Sequence, residues 1–370
     1  MKSEWYHIND IEAIDSPALV IYLERVLENI RTLISMVDDV ERLRPHVKTH
    51  KAKGVVALLM NAGISKFKCA TIAEAEMLGM SAAPDVLLAY QPVGPKLKRF
   101  VEVIRKYPAT KFSCLVDNIV SAKNIGIYVD ENSMEIAVYV DLNVGMDRTG
   151  IMPGDEAIEL YKACGDLNGI SPVGLHVYDG HIRVTEINQR TAECNDAFEP
   201  VLKMQQLLQH EGFSEIIIVA GGSPTFPIHA RRKNIECSPG TFIFWDHGNQ
   251  SQFEEQKFLT AALVITRIIS LPAKRKLCLD LGHKSISAEN SLDKRVYFLN
   301  APELKFISQS EEHLVVETND DHSYNLGDVF YGLPVHICPT VALYERALVI
   351  ENNEISDEWG IAARDKKITI

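Results

Sequence analysis

Three short stretches of this chain hold side chains that could do chemistry together. The first is Arg44-Pro45-His46-Val47-Lys48-Thr49-His50-Lys51, a basic octapeptide at the end of a short apolar-rich run. A lysine buried among imidazoles and other cations is disfavoured in its charged form. The neutral amine is the nucleophile that forms a Schiff base with a carbonyl. The same composition also suits a solvated face or a nucleic-acid patch, so its place in the fold must decide. The second stretch is Gly221-Gly222-Ser223-Pro224-Thr225. Its glycines leave backbone N–H groups open to an anion such as a phosphate, although an ordinary turn reads the same way. The third is His336-Ile337-Cys338-Pro339-Thr340. If this is a strand, His336 and Cys338 point the same way. Imidazole with thiolate favours zinc over magnesium or calcium, and two ligands leave positions open for water and substrate. A buried histidine beside an inert core cysteine is the plainer alternative.

The whole chain limits what these residues can serve. Its 370 residues, 46% hydrophobic and 24% charged, suit one large domain or two. A formal charge of -12 argues against a nucleic-acid partner. No apolar run approaches the length of a membrane span, and Met1-Lys2-Ser3-Glu4-Trp5 lacks the apolar core of a signal peptide. The seven cysteines are odd in number and include no Cys-x-x-Cys pair, which reads as reduced thiols in a cytoplasmic protein.

Eight apolar runs predict buried strands at 18–22, 43–47, 66–71, 85–90, 112–116, 136–142, 173–177 and 216–220. Helical spacing fills the gaps, as at 24–37, 52–61, 72–80, 96–107 and 155–164. Continuous apolar strands alternating with helices predict an α/β fold, a (β/α)8 barrel over residues 15–240. An open doubly wound sheet would call for a Gly-rich turn after the first strand, and the chain has none. After about Phe242 short alternating runs take over, at 261–269, 276–281, 295–300, 314–317, 341–344 and 347–349, with turn residues between them. They predict an antiparallel β domain over residues 241–370, carrying the His336 and Cys338 pair.

Barrel chemistry sits at the C-terminal ends of the strands. Lys48 follows the second run, Asp141, Asn143 and Arg148 the sixth, and Gly221–Thr225 the eighth, while His176, Tyr178 and His181 cluster at the end of the seventh. The loops after the last two strands are the usual phosphate site of such barrels. A lysine, an arginine, a tyrosine and a phosphate loop on one rim would all be used by a phosphate-bearing aldehyde, and pyridoxal 5′-phosphate fits. His176, Gly221, Gly222, Ser223 and Thr225 are candidate cofactor contacts beside Lys48, Arg148 and Tyr178.

At these motifs, together with Gly174-Leu175-His176-Val177-Tyr178-Asp179-Gly180, nearly the whole chain resembles the fold-type III pyridoxal-phosphate enzymes. It is similar to their branch of D-threonine aldolases and eukaryotic-type D-serine dehydratases. The resemblance implies that Lys48 joins the cofactor aldehyde, Arg148 faces its phenolic oxygen and Tyr178 its pyridine nitrogen, and Gly221–Thr225 holds its phosphate. A tyrosine is too weak an acid to keep that nitrogen protonated, so the cofactor would be a weaker electron sink than one paired with a carboxylate. The resemblance also implies that the first 14 residues join the β domain, and that the enzyme is a homodimer.

Three activities follow. A D-threonine aldolase would release acetaldehyde and glycine from D-threonine. A D-serine or D-3-hydroxyaspartate dehydratase would expel the β-hydroxyl as water. A non-enzymatic pyridoxal-phosphate carrier would resemble the barrel alone; a racemase would need no metal. In the family the aldolases carry aspartate where this chain has Cys338, and the dehydratases carry cysteine. Zinc is therefore the expected metal, with manganese better suited to the carboxylate. His181 is the candidate base for the β-hydroxyl, and equally reads as a surface loop histidine.

Overall fold

The computed structural model describes residues 4–370, which divide into two compact units. One unit is built from Leu33–Lys48, Val55–Gly240 and Asp365–Ile370. Its strands Lys66–Cys69, Asp85–Leu88, Lys111–Val116, Ile136–Leu142, Ile170–Val177, Ile217–Ala220 and Ile235–Cys237 pair in that order, all parallel. The segment 43–46 closes the ring. Leu43 bridges Cys237, and His46 bridges Lys68, both in the parallel sense. Arg44 N–H donates to the Cys237 carbonyl and Lys68 N–H to the Pro45 carbonyl, each at 2.9 Å. Pro45 has no N–H to give, so this stave is joined by bridges and not by a continuous ladder. The result is the predicted barrel, with Thr71 and Asn118 capping two of its helices through the N–H groups of Glu74 and Ser121.

The eight apolar runs are nevertheless not the eight staves. Ala18–Tyr22 lies in the other unit, parallel to Arg346–Glu351 and antiparallel to Ala262–Ala273. It is paired on both edges and buried along most of its length, so it looks like a barrel strand in sequence. The stave in its place is Ile235–Cys237, which is three residues long and carries Glu236 at its centre. That glutamate belongs to a charged cluster at the N-terminal ends of the strands. Arg44 Nε lies 2.6 Å from Glu236, its Nη1 lies 2.6 Å from Asp85, and Lys66 Nζ lies 2.8 Å from Glu236. Burial opposes the Arg44 charge, but the two carboxylates outweigh it and hold the guanidinium above its ordinary range. Arg44 thus serves barrel closure, joining the first stave to the last.

The second unit contains the described residues up to Thr32, Thr49–Gly54 and Thr241–Arg364. Its sheet runs Lys305–Gln309, Leu314–Glu317, Lys276–Leu279, Ala262–Ala273, Ala18–Tyr22, Arg346–Glu351, Glu354–Gly360. Val296–Phe298 pairs with Val329–Pro334, which pairs with Ala262–Ala273. Tyr6, Ile8 and Ile14 pack with Val20, Leu263, Tyr331 and Ile350 in one buried cluster of this unit. Residues 1–3 lie outside the described residues. The run at 341–344 is not a strand, because a short helix, Ile337–Val341, occupies its start.

Candidate active site

Side chains at the C-terminal ends of the barrel staves gather around Tyr178. Lys48 Nζ lies 5.7 Å from the ring centroid, Lys68 Nζ lies 5.8 Å from it, and the Arg148 guanidinium carbon lies 4.8 Å from it. Lys48 sits in a single 3-10 turn, where its N–H donates to His46 Nδ1 at 3.2 Å. Arg148 is exposed on the loop after Ile136–Leu142. Asn143 shapes that loop by accepting from the N–H groups of Gly145 and Asp147, at 3.0 and 3.1 Å. His181 is also exposed, and its Nε2 lies 2.7 Å from where a Cβ on Gly145 would stand, so it packs against the loop that bears Arg148.

Gly221–Thr225 forms the opposite wall. Gly221 has φ +79, and a Cβ on Gly222 would meet Tyr178 Cε2 at 3.1 Å. Backbone here comes close to the ring only because side chains are missing. Asp179 braces the loop from behind. Its carboxylate accepts from the Thr225 hydroxyl at 2.7 Å and bonds His229 Nε2 at 2.8 Å. Burial pushes Asp179 upward, but His229 and Thr225 outweigh it and hold the carboxyl below its usual range. Asp179, Cys194 and His229 are also the one set of three potential metal ligands that converge within 4.8 Å among the described residues. All three are buried, and the Arg232 guanidinium lies 3.8 Å from Cys194 Sγ.

Lys68 belongs to this site as well, although none of the motifs includes it. It is 2% exposed, with Nζ 3.5 Å from His176 Nε2, and His176 Nδ1 lies 2.7 Å from Asp141. Burial, reinforced by Lys48, lowers the Lys68 pKa to about 7. Burial also lowers His176, against the pull of Asp141. Asp141 itself is held low by His176, Thr149 and Lys68 despite its burial. The signal was present: Lys68 alternates with two buried apolar residues, Phe67 and Cys69, in a barrel strand, so it must point inward.

These residues fit pyridoxal 5′-phosphate. The pocket offers a half-buried lysine for an aldehyde, further cations for an anionic ring, a phenol for a ring nitrogen, and a glycine loop from which backbone can reach a phosphate.

In the second unit, His336 is the N-cap of the Ile337–Val341 helix, so the pair does not lie on a strand as its spacing suggested. The two side chains still lie close together, since Cys338 is among the groups that favour a proton on His336. Glu289 contacts Nδ1 of the same imidazole. Burial opposes protonation of His336, but Cys338, Glu289 and Asp246 outweigh it and raise its pKa to about 9. The Thr49 hydroxyl lies 3.2 Å from Cys338 Sγ. An imidazole and a thiol on a half-exposed edge form a donor set that fits a divalent ion with open positions.

Residues 21–247 match the family "Alanine racemase, N-terminal domain", and residues 261–350 match "Putative serine dehydratase domain". The chain belongs to the alanine racemase-like, fold-type III pyridoxal-phosphate family, in the branch with a serine dehydratase-like second domain. Within that family it is a pyridoxal-phosphate-dependent lyase. The chain is 27% identical to a D-threonine aldolase from Arthrobacter sp over 359 residues, covering 95% of this chain and 93% of the relative. It is 23% identical to a 3-hydroxy-D-aspartate aldolase from Paracoccus denitrificans (strain Pd 1222), covering 96% and 94%. The crystal structure of D-threonine aldolase from Filomicrobium marinum shares the fold at a TM-score of 0.88, with 23% identity and 95% of each chain covered. No helix among the described residues is long and apolar enough to cross a membrane.

Proposed function

We propose that this chain is a pyridoxal-phosphate- and metal-dependent lyase acting on D-3-hydroxy amino acids, with D-threonine, cleaved to glycine and acetaldehyde, as the leading substrate. The observation that supports it most is the gathering of Lys48, Arg148 and the Gly221–Thr225 loop around Tyr178, in a chain that also carries the His336 and Cys338 pair. The bound cofactor supplies an electron sink for a bond at the amino acid's Cα. In this reading Lys48 holds the cofactor and yields its place to the substrate amine. Arg148 and Tyr178 contact the ring, His176 lines the pocket, and the loop of Gly221, Gly222, Ser223 and Thr225 binds phosphate, with the N–H groups of Ser223 and Thr225 as its donors, because that of Gly221 donates to the Val177 carbonyl and that of Gly222 to Thr225 Oγ1. His336 and Cys338 hold the divalent ion, zinc first and manganese second, which supplies a Lewis acid for the β-hydroxyl. His181, exposed at the rim, accepts the hydroxyl proton. The working unit is a homodimer in the cytoplasm.

Cys338 favours a second reading, a D-serine or D-3-hydroxyaspartate dehydratase, because a thiolate stands where the resembling aldolases have a carboxylate. In that reaction Lys48 takes the α-proton and the hydroxyl leaves as water. The test is product analysis with D-threonine, D-serine and D-3-hydroxyaspartate, with and without a chelator. Glycine plus an aldehyde supports the aldolase, and a 2-oxo acid plus ammonia supports the dehydratase. Absence of both sets of products with all three substrates would refute the lyase reading.

A further inference from the structure

The buried amine of Lys68 is the strongest group in the barrel to which the proposed reaction gives no task. Its neighbours fix what it can do. His176 is 4% exposed and Asp141 5% exposed, and the two are 2.7 Å apart through Nδ1. An ionised carboxylate only accepts, so Nδ1 carries the proton of this contact. Nε2 of a neutral imidazole then bears a lone pair in a dry site and needs a donor. Lys68 Nζ, at 3.5 Å, is that donor. We propose that Lys68 is a positioning residue of the cofactor pocket, which donates to His176 Nε2 and thereby fixes this imidazole as the neutral tautomer with its Nδ1 proton on Asp141.

The charges around the amine agree with this. Lys48 and Arg44 push against its charge, while Asp141 and Asp179 favour it. Lys68 and Arg148 likewise disfavour a proton on His176. The assignment also separates the two lysines near Tyr178. Lys48 is half-buried at the end of its stave, whereas the Lys68 amine is tied to His176 within the strand Lys66–Cys69. Removal of Lys68 would leave Nε2 buried without a donor and remove a cation beside it. Both changes favour protonation of His176.

This inference rests on the proposed cofactor pocket, but its test does not. Holoenzyme labelled with 15N at histidine is titrated from about pH 6 to 9 by NMR, a window around the ordinary histidine pKa. A His176→Gln variant identifies the signal. In the wild type, Nδ1 should appear protonated and Nε2 unprotonated throughout. In Lys68→Met, His176 should titrate inside the window, its midpoint raised by about one pH unit or more. Lys68→Arg, which keeps a donor and a charge, should restore the wild-type tautomer. A wild-type Nε2 that carries the proton overturns the proposal, as does a Lys68→Met protein with an unchanged His176 signal. If Lys68→Met does not fold, the wild-type tautomer decides alone. Failure of the wild type to retain pyridoxal phosphate would instead count against the proposed function, and the tautomer would then be read in the cofactor-free chain.

Discussion

Lys68→Met should make the cofactor-free protein more stable, and by an amount that depends on pH. Methionine keeps the length of the side chain without its charge. Lys68 is fully enclosed, and its pKa falls from 10.5 to about 7. That drop of roughly three and a half units, at about 1.4 kcal/mol each, amounts to about 5 kcal/mol of differential stability. The sign follows from proton counts. Between about 7 and 10.5 the unfolded chain binds a proton at Lys68 that the folded chain does not, so stability rises with pH through this window. Below about 7 both states are protonated and the penalty is complete. The lost bond to His176 returns roughly 1–2 kcal/mol. Urea unfolding of both proteins at a series of pH values measures the difference. Lys68→Met should be more stable by about 3 kcal/mol near pH 6.5, with the gap closing towards pH 9.5 and beyond. A variant less stable than wild type at pH 6.5, or two parallel stability profiles, would refute the claim that a buried amine is held at a cost.

Other perturbations probe the rest of the account. Arg44→Met should destabilise the barrel by about 3 kcal/mol or more, since it leaves Glu236 and Asp85 without their shared partner; thermal unfolding that matches wild type would show the cluster to be dispensable. Gly222→Ala, whose new methyl would stand 3.1 Å from Tyr178, should weaken pyridoxal-phosphate binding about tenfold in equilibrium dialysis with little change in melting temperature. Divalent-ion affinity, measured by calorimetry, should rise about tenfold per pH unit from 7 towards 9, because the proton on His336 must leave before a metal can bind. Both His336→Ala and Cys338→Ala should abolish that binding, and a flat profile or a binding variant would move the ion elsewhere.

The parts of this molecule legible in sequence are those where one local pattern has one outcome. Apolar runs alternating with helices gave the barrel, and lysine, tyrosine and glycines at run ends lay on its rim as expected. Misplacements arose where different structures share a pattern. Ala18–Tyr22 is buried and apolar like a barrel strand, yet it is paired on both edges in the other sheet. Ile235–Cys237 escaped because Glu236, spent on Arg44, interrupts three residues of strand. His336 and Cys338 come together at a helix start, where spacing rules for strands do not apply. A lysine in a strand ordinarily faces solvent, and Lys68 departs from that pattern because its alternation with Phe67 and Cys69 puts it on the inner face of a barrel strand.

The proposed chemistry turns on Lys48 as the residue that holds the cofactor. Reduction of the holoenzyme with borohydride, followed by peptide mapping, tests it most directly, because two lysines lie within 6 Å of the Tyr178 ring centroid. The reduced pyridoxyl label should fall on Lys48 alone, with Lys68 unmodified, and Lys48→Ala should carry no label. A label on Lys68, on Lys51 or on Lys53, or a Lys48→Ala protein that is labelled as fully as wild type, would contradict it.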